Sequence, residues 1–90
     1  MGSFEVLLMP APLKFYKTSH SELAKRLNKC FEDLENNPFW GPNIKILKGE
    51  KKRYRYRAGD YRIIYSIDKD NSKIIVTLIA PRQSAYRNIS

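Results

Sequence analysis

The stretch from residue 44 to residue 67 constrains the fold more than any other part of the chain. Between residues 45 and 62 it contains eight basic and two acidic side chains, so it supplies six of the eight net positive charges. Residues 53–58, RYRYRA, alternate between basic and less polar side chains. Because successive side chains of a strand point to opposite faces, this alternation predicts a β-strand with one basic face. The basic face carries Arg53, Arg55 and Arg57, and the other face carries Tyr54, Tyr56 and Ala58.

The composition indicates one folded domain with an anionic partner. A chain of 90 residues buries about 60–65% of its unfolded surface, which suffices for a thin core. Its 42% of hydrophobic and 12% of aromatic residues are typical of a globule rather than a disordered basic tail. The net charge of +8 favours nucleic acid, an anionic membrane or an acidic protein as partner. The length predicts a single domain over residues 1–90. No apolar run approaches the roughly 20 residues that span a bilayer, and the basic residues lie in a strand pattern rather than on an amphipathic helix, so we expect no membrane partner.

The cysteine and histidine content excludes several kinds of site. Cys30 is the only cysteine, so an internal disulfide is impossible and a free thiol fits a reducing compartment. One cysteine and one histidine, His20, do not make a credible metal site. The first residues lack the basic leader of a signal peptide. We expect a cytoplasmic protein without a metal or another cofactor.

A strand and a long helix are predicted before the basic stretch. Residues 4–9 are typical of a short buried strand, and residues 13–17 of a helical turn. Ser19 is the predicted N-cap of the long helix, because Glu22 lies three residues later and completes a capping box. The helix has an apolar stripe at helical spacing and stops at the following Asn-Asn-Pro. The stripe consists of Leu23, Leu27, Cys30, Phe31 and Leu34.

Three strand regions follow the helix. The first comprises residues 44–48 with residues 52–58, the second residues 60–68, and the third residues 73–80. The reversal through Gly59 and the polar loop KDNS predict antiparallel hairpins. The predicted fold class is α+β: an N-terminal strand, one or two helices, then a three-stranded antiparallel meander with helices packed on one sheet face.

Three segments carry a recognisable pattern: LKG at residues 47–49, YRYRAGDYRIIY at residues 54–65, and PRQSAYR at residues 81–87. This pattern resembles the RelE branch of the RelE/ParE toxin superfamily, and the run GDYRIIY is its most specific part. The resemblance extends over nearly the whole chain in element order, length and basic charge.

The resemblance implies a toxin of a type II toxin–antitoxin system that a cognate RelB-like antitoxin holds inactive. It further implies an mRNA interferase: a ribosome-dependent, metal-independent endoribonuclease that cuts mRNA in the ribosomal A site. In that reaction a ribose 2′-oxygen attacks the adjacent phosphate. The expected partners are the antitoxin, mRNA and the ribosome, with operator DNA bound only through the antitoxin.

The resemblance also assigns roles to side chains of this chain. Arg62 is expected to stabilise the transition-state charge, and Arg57 with Arg55 to bind the phosphate and the 2′-oxygen. Arg82 is expected near the leaving oxygen, and Tyr86 is expected to stack on a splayed base. The predicted catalytic residues are Arg57, Arg62, Arg82 and Tyr86, and the predicted RNA-binding residues are Lys51, Lys52, Arg53, Arg55 and Arg87.

The chain departs from the family pattern at two places. Arg55 and Arg57 stand where well-studied relatives carry lysines, one of them a proposed general base, and a guanidinium is not deprotonated in proteins. Pro81 stands where many relatives carry a histidine. The identity of a general base is therefore open. Two other functions fit the residues: a ParE-like inhibitor of DNA gyrase, and a non-catalytic module that binds RNA or the ribosome.

Overall fold

The structure, a computed structural model, describes residues 4–47, 49 and 52–82. These residues form a five-stranded mixed sheet with two helices. The elements are β1 (Glu5–Leu8), α1 (Pro10–Lys17), α2 (Ser21–Asn36), β2 (Ile44–Leu47), β3 (Arg53–Ala58), β4 (Tyr61–Asp68) and β5 (Lys73–Pro81). The α+β prediction, with an N-terminal strand and with helices on one sheet face, is confirmed. Neither of the helices in the described ranges has the length and hydropathy to cross a membrane.

The sheet has the strand order β1-β5-β4-β3-β2. β1 pairs with β5 in parallel, and the other neighbours pair antiparallel. The parallel pair is possible because the helices provide the long crossover that such a pair needs. β2 is a strand of its own, paired with β3, so the antiparallel part contains four strands where the sequence indicated three regions.

The long helix begins one residue later than its sequence predicts, so the Ser19 cap prediction is wrong. His20 is the N-cap, and its Nδ1 accepts a hydrogen bond from the Leu23 N–H at 3.2 Å. The Ser19 hydroxyl instead donates to the Phe15 carbonyl at 2.7 Å and satisfies the end of α1. A hydroxyl can donate to a free carbonyl at the end of one helix, and a ring nitrogen can accept a free N–H at the start of the next. The short link between α1 and α2 decides which residue bonds to which helix.

The core lies between α2 and one face of the sheet. Leu23, Leu27, Cys30 and Leu34 of the predicted stripe are buried there, and Phe31 packs at its margin. The rings of Tyr54 and Tyr65 stack at 5.4 Å between centroids. The Tyr65 hydroxyl donates to the Pro38 carbonyl at 2.8 Å, and the Tyr56 hydroxyl donates to an Asp33 carboxylate oxygen at 2.7 Å. All three tyrosine rings are buried in the core, and the hydroxyls of Tyr56 and Tyr65 are hydrogen-bonded to the helix layer and to the segment that follows it, so these residues are structural.

Candidate functional site

The opposite face of the sheet gathers four arginines, which we call the arginine face: Arg53, Arg55, Arg57 and Arg62. On β3, burial alternates residue by residue, with Tyr54, Tyr56 and Ala58 buried and the three arginines between them at least partly accessible. The sequence prediction of a basic strand face is therefore confirmed. Side chains two residues apart on a strand are about 6.7 Å apart, so the row can follow an extended polyanion.

Arg57 and Arg62 are directly opposite each other on β3 and β4. Opposite residues of an antiparallel pair point to the same face, with Cβ atoms about 4.5–5.5 Å apart. Two like charges at such a position destabilise the sheet, and an anion bound between them removes the repulsion. This pair is the strongest indication that the face binds a phosphate or a carboxylate.

Arg62 differs from its neighbours because it is only 5% exposed, and among the described residues it is the one charged residue that is buried. The Nε atoms of Arg62 and of Arg55 are both shielded from solvent. The residue opposite Arg62 on β5 is the buried Ala80, and the residue opposite Arg55 on β4 is the buried Ile64. The arginine stems thus lie over a partly apolar floor, as long basic side chains commonly do. A charge held in such a place acts through a lower dielectric than one in water.

The turn between β3 and β4 brings Arg82 to the same end of the face. The Arg82 backbone N–H donates to the Asp60 carbonyl at 2.7 Å, and its side chain is exposed. The turn itself depends on Gly59, whose φ of +62° lies in the left-handed region that favours glycine. Three of the four predicted catalytic residues therefore lie close together in the fold. Arg57 lies just before the turn, Arg62 lies just after it, and Arg82 follows β5 and is hydrogen-bonded to the turn.

Arg26 on α2 is a basic residue at this turn that the sequence prediction missed. Its Nη1 atom lies 3.0 Å from the point that a Cβ on Gly59 would occupy. The helix layer thus places a further guanidinium beside the end of the arginine face. No local pattern reveals this contact, because Arg26 is one of several basic residues on the polar side of the helix.

Lys45 on β2 is a second residue that the prediction omitted. It is exposed and directly opposite Arg55, so it extends the positive charge of the arginine face toward the sheet edge. The alternation of residues 44–47 indicates which face Lys45 occupies only once the register with β3 is known.

The predicted RNA-binding residues are not all in one place. Lys52 is exposed at the end of β3 that is remote from the turn, where it lines a depression of about 380 Å³ together with Phe39, Asp68 and Asp70. Arg53 lies next to it on the arginine face and is exposed. Lys51, Tyr86 and Arg87 lie outside the described residues.

Apart from the amine of Lys45, the described acid–base groups do not supply a proton carrier on this face. The His20 ring caps α2 in the helix layer. Burial raises the pKa of the Cys30 thiol, which is the opposite of what a reactive nucleophile needs. Burial and the hydrogen bond to Asp33 also raise the pKa of Tyr56. The arginine face is therefore suited to binding and stabilising negative charge rather than to transferring protons.

The chain is similar to known toxins over most of its length. The family model of the ParE toxin of type II toxin–antitoxin systems, parDE, matches residues 13–86. A protein of Methanocaldococcus jannaschii named "Putative toxin RelE1" is 33% identical over 87 residues, which are 94% of this chain and 97% of that protein.

Two solved structures of toxin–antitoxin complexes share the fold. The archaeal RelE–RelB complex from Pyrococcus horikoshii matches with a TM-score of 0.75 and 26% identity, covering 89% of this chain and 96% of the solved chain. The RelB–RelE complex from Methanococcus jannaschii matches with a TM-score of 0.71 and 27% identity, covering 93% and 99%.

Proposed function

This chain belongs to the RelE/ParE superfamily of toxins from type II toxin–antitoxin systems, and on that premise we propose that it is a ribosome-dependent, metal-independent endoribonuclease that cleaves mRNA. The observation that carries the proposal is the Arg57–Arg62 pair, with Arg55 beside it on the same sheet face. Guanidinium groups bind two phosphate oxygens at once, so this arrangement fits a pentavalent phosphorane better than a single phosphate charge.

The proposed reaction transfers the phosphate within the substrate. The ribose 2′-oxygen forms a bond to the adjacent phosphorus, the bond from phosphorus to the 5′-oxygen breaks, and the proton lost by the 2′-hydroxyl is balanced by one gained at the 5′-oxygen. The products carry a 2′,3′-cyclic phosphate and a 5′-hydroxyl. The protein contributes positioning and electrostatic stabilisation, since the nucleophile belongs to the RNA.

Each arginine has a distinct part in this proposal. Arg57, which is exposed, contacts the scissile phosphate together with Arg55. Arg62 stabilises the developing charge from its position beside Arg57 on the neighbouring strand, where its burial lowers the local dielectric. Arg82 lies at the turn and donates toward the leaving oxygen. No guanidinium acts as a base, so the 2′-hydroxyl loses its proton to a group other than these arginines, and the ribosome aligns it.

The proposed inhibitor is a RelB-like antitoxin. The solved relatives from Pyrococcus horikoshii and Methanococcus jannaschii are complexes of RelE with RelB. An acidic antitoxin segment over the arginine face would relieve the repulsion between Arg57 and Arg62 and would exclude RNA at the same time. A complex that leaves this face open would contradict the proposed site of inhibition.

A ParE-like inhibitor of DNA gyrase is the second candidate, because the family model that matches is that of the ParE toxin. Such a toxin stops replication without cutting RNA. Induction of the chain in growing cells separates the two: mapped mRNA 5′-ends report cleavage, and plasmid supercoiling with the DNA damage response reports gyrase inhibition. Cuts in translated mRNA with normal supercoiling support the nuclease, and the reverse result supports the gyrase inhibitor.

The same experiment needs a charge-matched control. Arg57→Ala removes one positive charge from the arginine face, and Lys29→Ala removes one from an exposed position on α2. We expect Arg57→Ala to abolish the mapped cuts and Lys29→Ala to retain them. Equal cutting by both variants would refute the site, and ribosome binding without cuts in the wild type would indicate a non-catalytic module.

A further inference from the structure

Lys45 brings an amine to the side of the sheet that carries the arginine face. It lies on β2 directly opposite Arg55 of β3, and opposite residues of an antiparallel pair point to the same face. Arg57 is two residues further along β3, so it is a diagonal neighbour of Lys45. Diagonal neighbours are about 7–8 Å apart, a distance that a long side chain spans. The Lys45 amine can therefore reach the space beside the Arg57–Arg62 pair.

The neighbours of Lys45 are guanidiniums rather than carboxylates. β2 is an edge strand, and its partner in the sheet is β3. The β3 side chains on the same face as the exposed Lys45 are Arg53, Arg55 and Arg57. In the part of the chain that the structure describes, no carboxylate forms an ion pair with Lys45. A neighbouring carboxylate would favour the ammonium form of a lysine, which cannot accept a proton.

The proposed reaction needs a group that removes the proton of the 2′-hydroxyl. The arginines do not provide it, because a guanidinium keeps its proton in proteins. His20 caps α2, and Cys30 and Tyr56 belong to the core on the other side of the sheet. A lysine amine, in contrast, can act as a general base in its neutral form.

The nearby carboxylates are less suited to this role. Asp68 lies at the end of β4 that is remote from the turn, where its two oxygens accept hydrogen bonds from Asn71 at 3.3 and 2.9 Å. Asp60 lies in the turn itself, beyond the ends of β3 and β4, so it does not belong to the row of strand side chains. Among the described strand residues close to the Arg57–Arg62 pair, Lys45 is the one that can accept a proton.

The position of Lys45 also fits the direction of the reaction. The attacking and leaving oxygens lie on opposite sides of the phosphorus in an in-line displacement. The Arg57–Arg62 pair lies on β3 and β4, with β2 on one side and β5 on the other. Lys45 lies on the β2 side, and Arg82, which we expect to donate toward the leaving oxygen, follows β5. The amine is therefore on the side of the phosphate opposite to the leaving oxygen.

We propose that Lys45 is the general base of the cleavage reaction. Its neutral amine accepts the proton of the 2′-hydroxyl while the 2′-oxygen forms its bond to phosphorus and the bond from phosphorus to the 5′-oxygen breaks. A water molecule protonates the departing 5′-oxygen, and the hydroxide left behind takes the proton from the Lys45 ammonium, which regenerates the amine. The inference rests on the proposed nuclease function and names the group that the arginines cannot supply.

Lys45→Arg separates proton transfer from charge, because it keeps the positive charge and removes the base. The matched control is Lys29→Arg, the same exchange at an exposed position of α2. Cleavage of mRNA on programmed ribosomes is measured in single turnover at saturating toxin, between about pH 6.5 and pH 8.5. The wild-type rate should rise with pH, because more of an amine is neutral at higher pH. At the upper pH, Lys45→Arg should cleave about 10²-fold more slowly, and Lys29→Arg should match the wild type.

An added amine should restore activity to a protein that lacks its own. Ethylamine should raise the cleavage rate of Lys45→Ala in proportion to its concentration. Tetramethylammonium at the same ionic strength should not, because it carries the charge but cannot exchange a proton. Lys29→Ala should cleave at the wild-type rate with or without ethylamine.

Two controls separate proton transfer from binding and folding. Messenger RNA with a 2′-deoxynucleotide at the cleavage position cannot be cut, and ribosomes programmed with it should bind Lys45→Arg as tightly as the wild type. The urea midpoint of Lys45→Arg should match that of the wild type, because surface substitutions change stability by less than about 0.5 kcal/mol.

Three results would overturn the proposal. The first is cleavage by Lys45→Arg at the wild-type rate, because Lys45 would then act through its charge. The second is an equal effect of ethylamine on Lys45→Ala and Lys29→Ala. The third is a loss of rate in Lys45→Arg that a higher toxin concentration restores, because binding would then be the step affected. An absence of cleavage by the wild type would instead refute the nuclease function itself.

Discussion

Neutralising Arg57 should stabilise the free protein while it removes the activity. Arg57 is exposed and directly opposite Arg62, so Arg57→Gln removes a repulsion between like charges. The matched variant is Arg53→Gln, which makes the same chemical change on the same strand but lies opposite Leu47. Both variants change the net charge and the strand propensity in the same way. The difference between their free energies of unfolding therefore reports the interaction of Arg57 with Arg62.

The size of the effect follows from the cross-strand geometry. Because the Arg57 side chain is exposed, the value for water sets the lower limit of the repulsion: two unit charges about 6 Å apart repel by about 0.7 kcal/mol, roughly halved at physiological ionic strength, where the Debye length is about 8 Å. We therefore expect Arg57→Gln to be more stable than Arg53→Gln by about 0.3–0.7 kcal/mol. That difference corresponds to about 1–6 °C in the melting temperature of a domain of this size.

The dependence on salt concentration tests whether charge repulsion causes the difference in stability. Urea unfolding followed by circular dichroism at low salt, 0.15 M and 1 M NaCl should show the difference between the two variants shrinking to nearly zero, because the Debye length falls to about 3 Å at 1 M. Cleavage should fall most in Arg57→Gln, because Arg57 is the residue proposed to contact the scissile phosphate. A difference that persists at 1 M salt, or Arg57→Gln being the less stable variant at low salt, would refute the like-charge explanation.

Three further predictions concern the scaffold. Gly59→Ala should lower the free energy of unfolding by about 1–2 kcal/mol, because Gly59 has a left-handed φ, and Gly59→Asn should cost less; equal losses in urea midpoints would contradict this. Burial raises the pKa of Tyr56 and of Tyr65 above the ordinary value of 10.0, so the unfolded chain loses these protons first and stability should fall as the pH rises above about 10. Unfolding midpoints between pH 8 and 11.5 should show a shallower fall for Tyr65→Phe, and an unchanged slope would count against it. Leu27→Ala, at a fully buried position, should cost about 2–5 kcal/mol, whereas Ile46→Ala, 56% exposed, should change stability by less than about 0.5 kcal/mol; similar losses would show that the core is elsewhere.

Local periodicity predicted the parts of the fold that depend on neighbouring residues. The i, i+4 spacing of Leu23 and Leu27 gave the buried side of α2, and the alternation of residues 53–58 gave both faces of β3. The N-cap was misassigned because Ser19 and His20 can each accept a helix N–H, and the tight link to α1 decides between them. A short sequence motif contains no information about that link.

The site was only partly predictable, because its geometry depends on contacts between distant residues. The sequence indicated that Arg57 and Arg62 flank a turn, but their direct opposition depends on the register of β3 and β4. It gave no sign that Arg62 is buried while Arg57 is exposed. The approach of Arg26 to Gly59 joins the helix layer to the sheet, and no periodic pattern encodes such a contact. The family resemblance predicted the roles of the arginines, and the strand register determined how they are arranged.

The cleavage rate of mRNA on purified programmed ribosomes tests the central claim most directly. The rate is measured in single turnover at saturating toxin for the wild type, Arg57→Ala and the charge-matched Lys29→Ala. If the arginine face stabilises the phosphorane, Arg57→Ala should cleave about 10²–10³-fold more slowly, by analogy with the loss of one oxyanion donor, while Lys29→Ala should keep the wild-type rate. Equal rates for the three proteins, or no cleavage by the wild type under these conditions, would contradict the account.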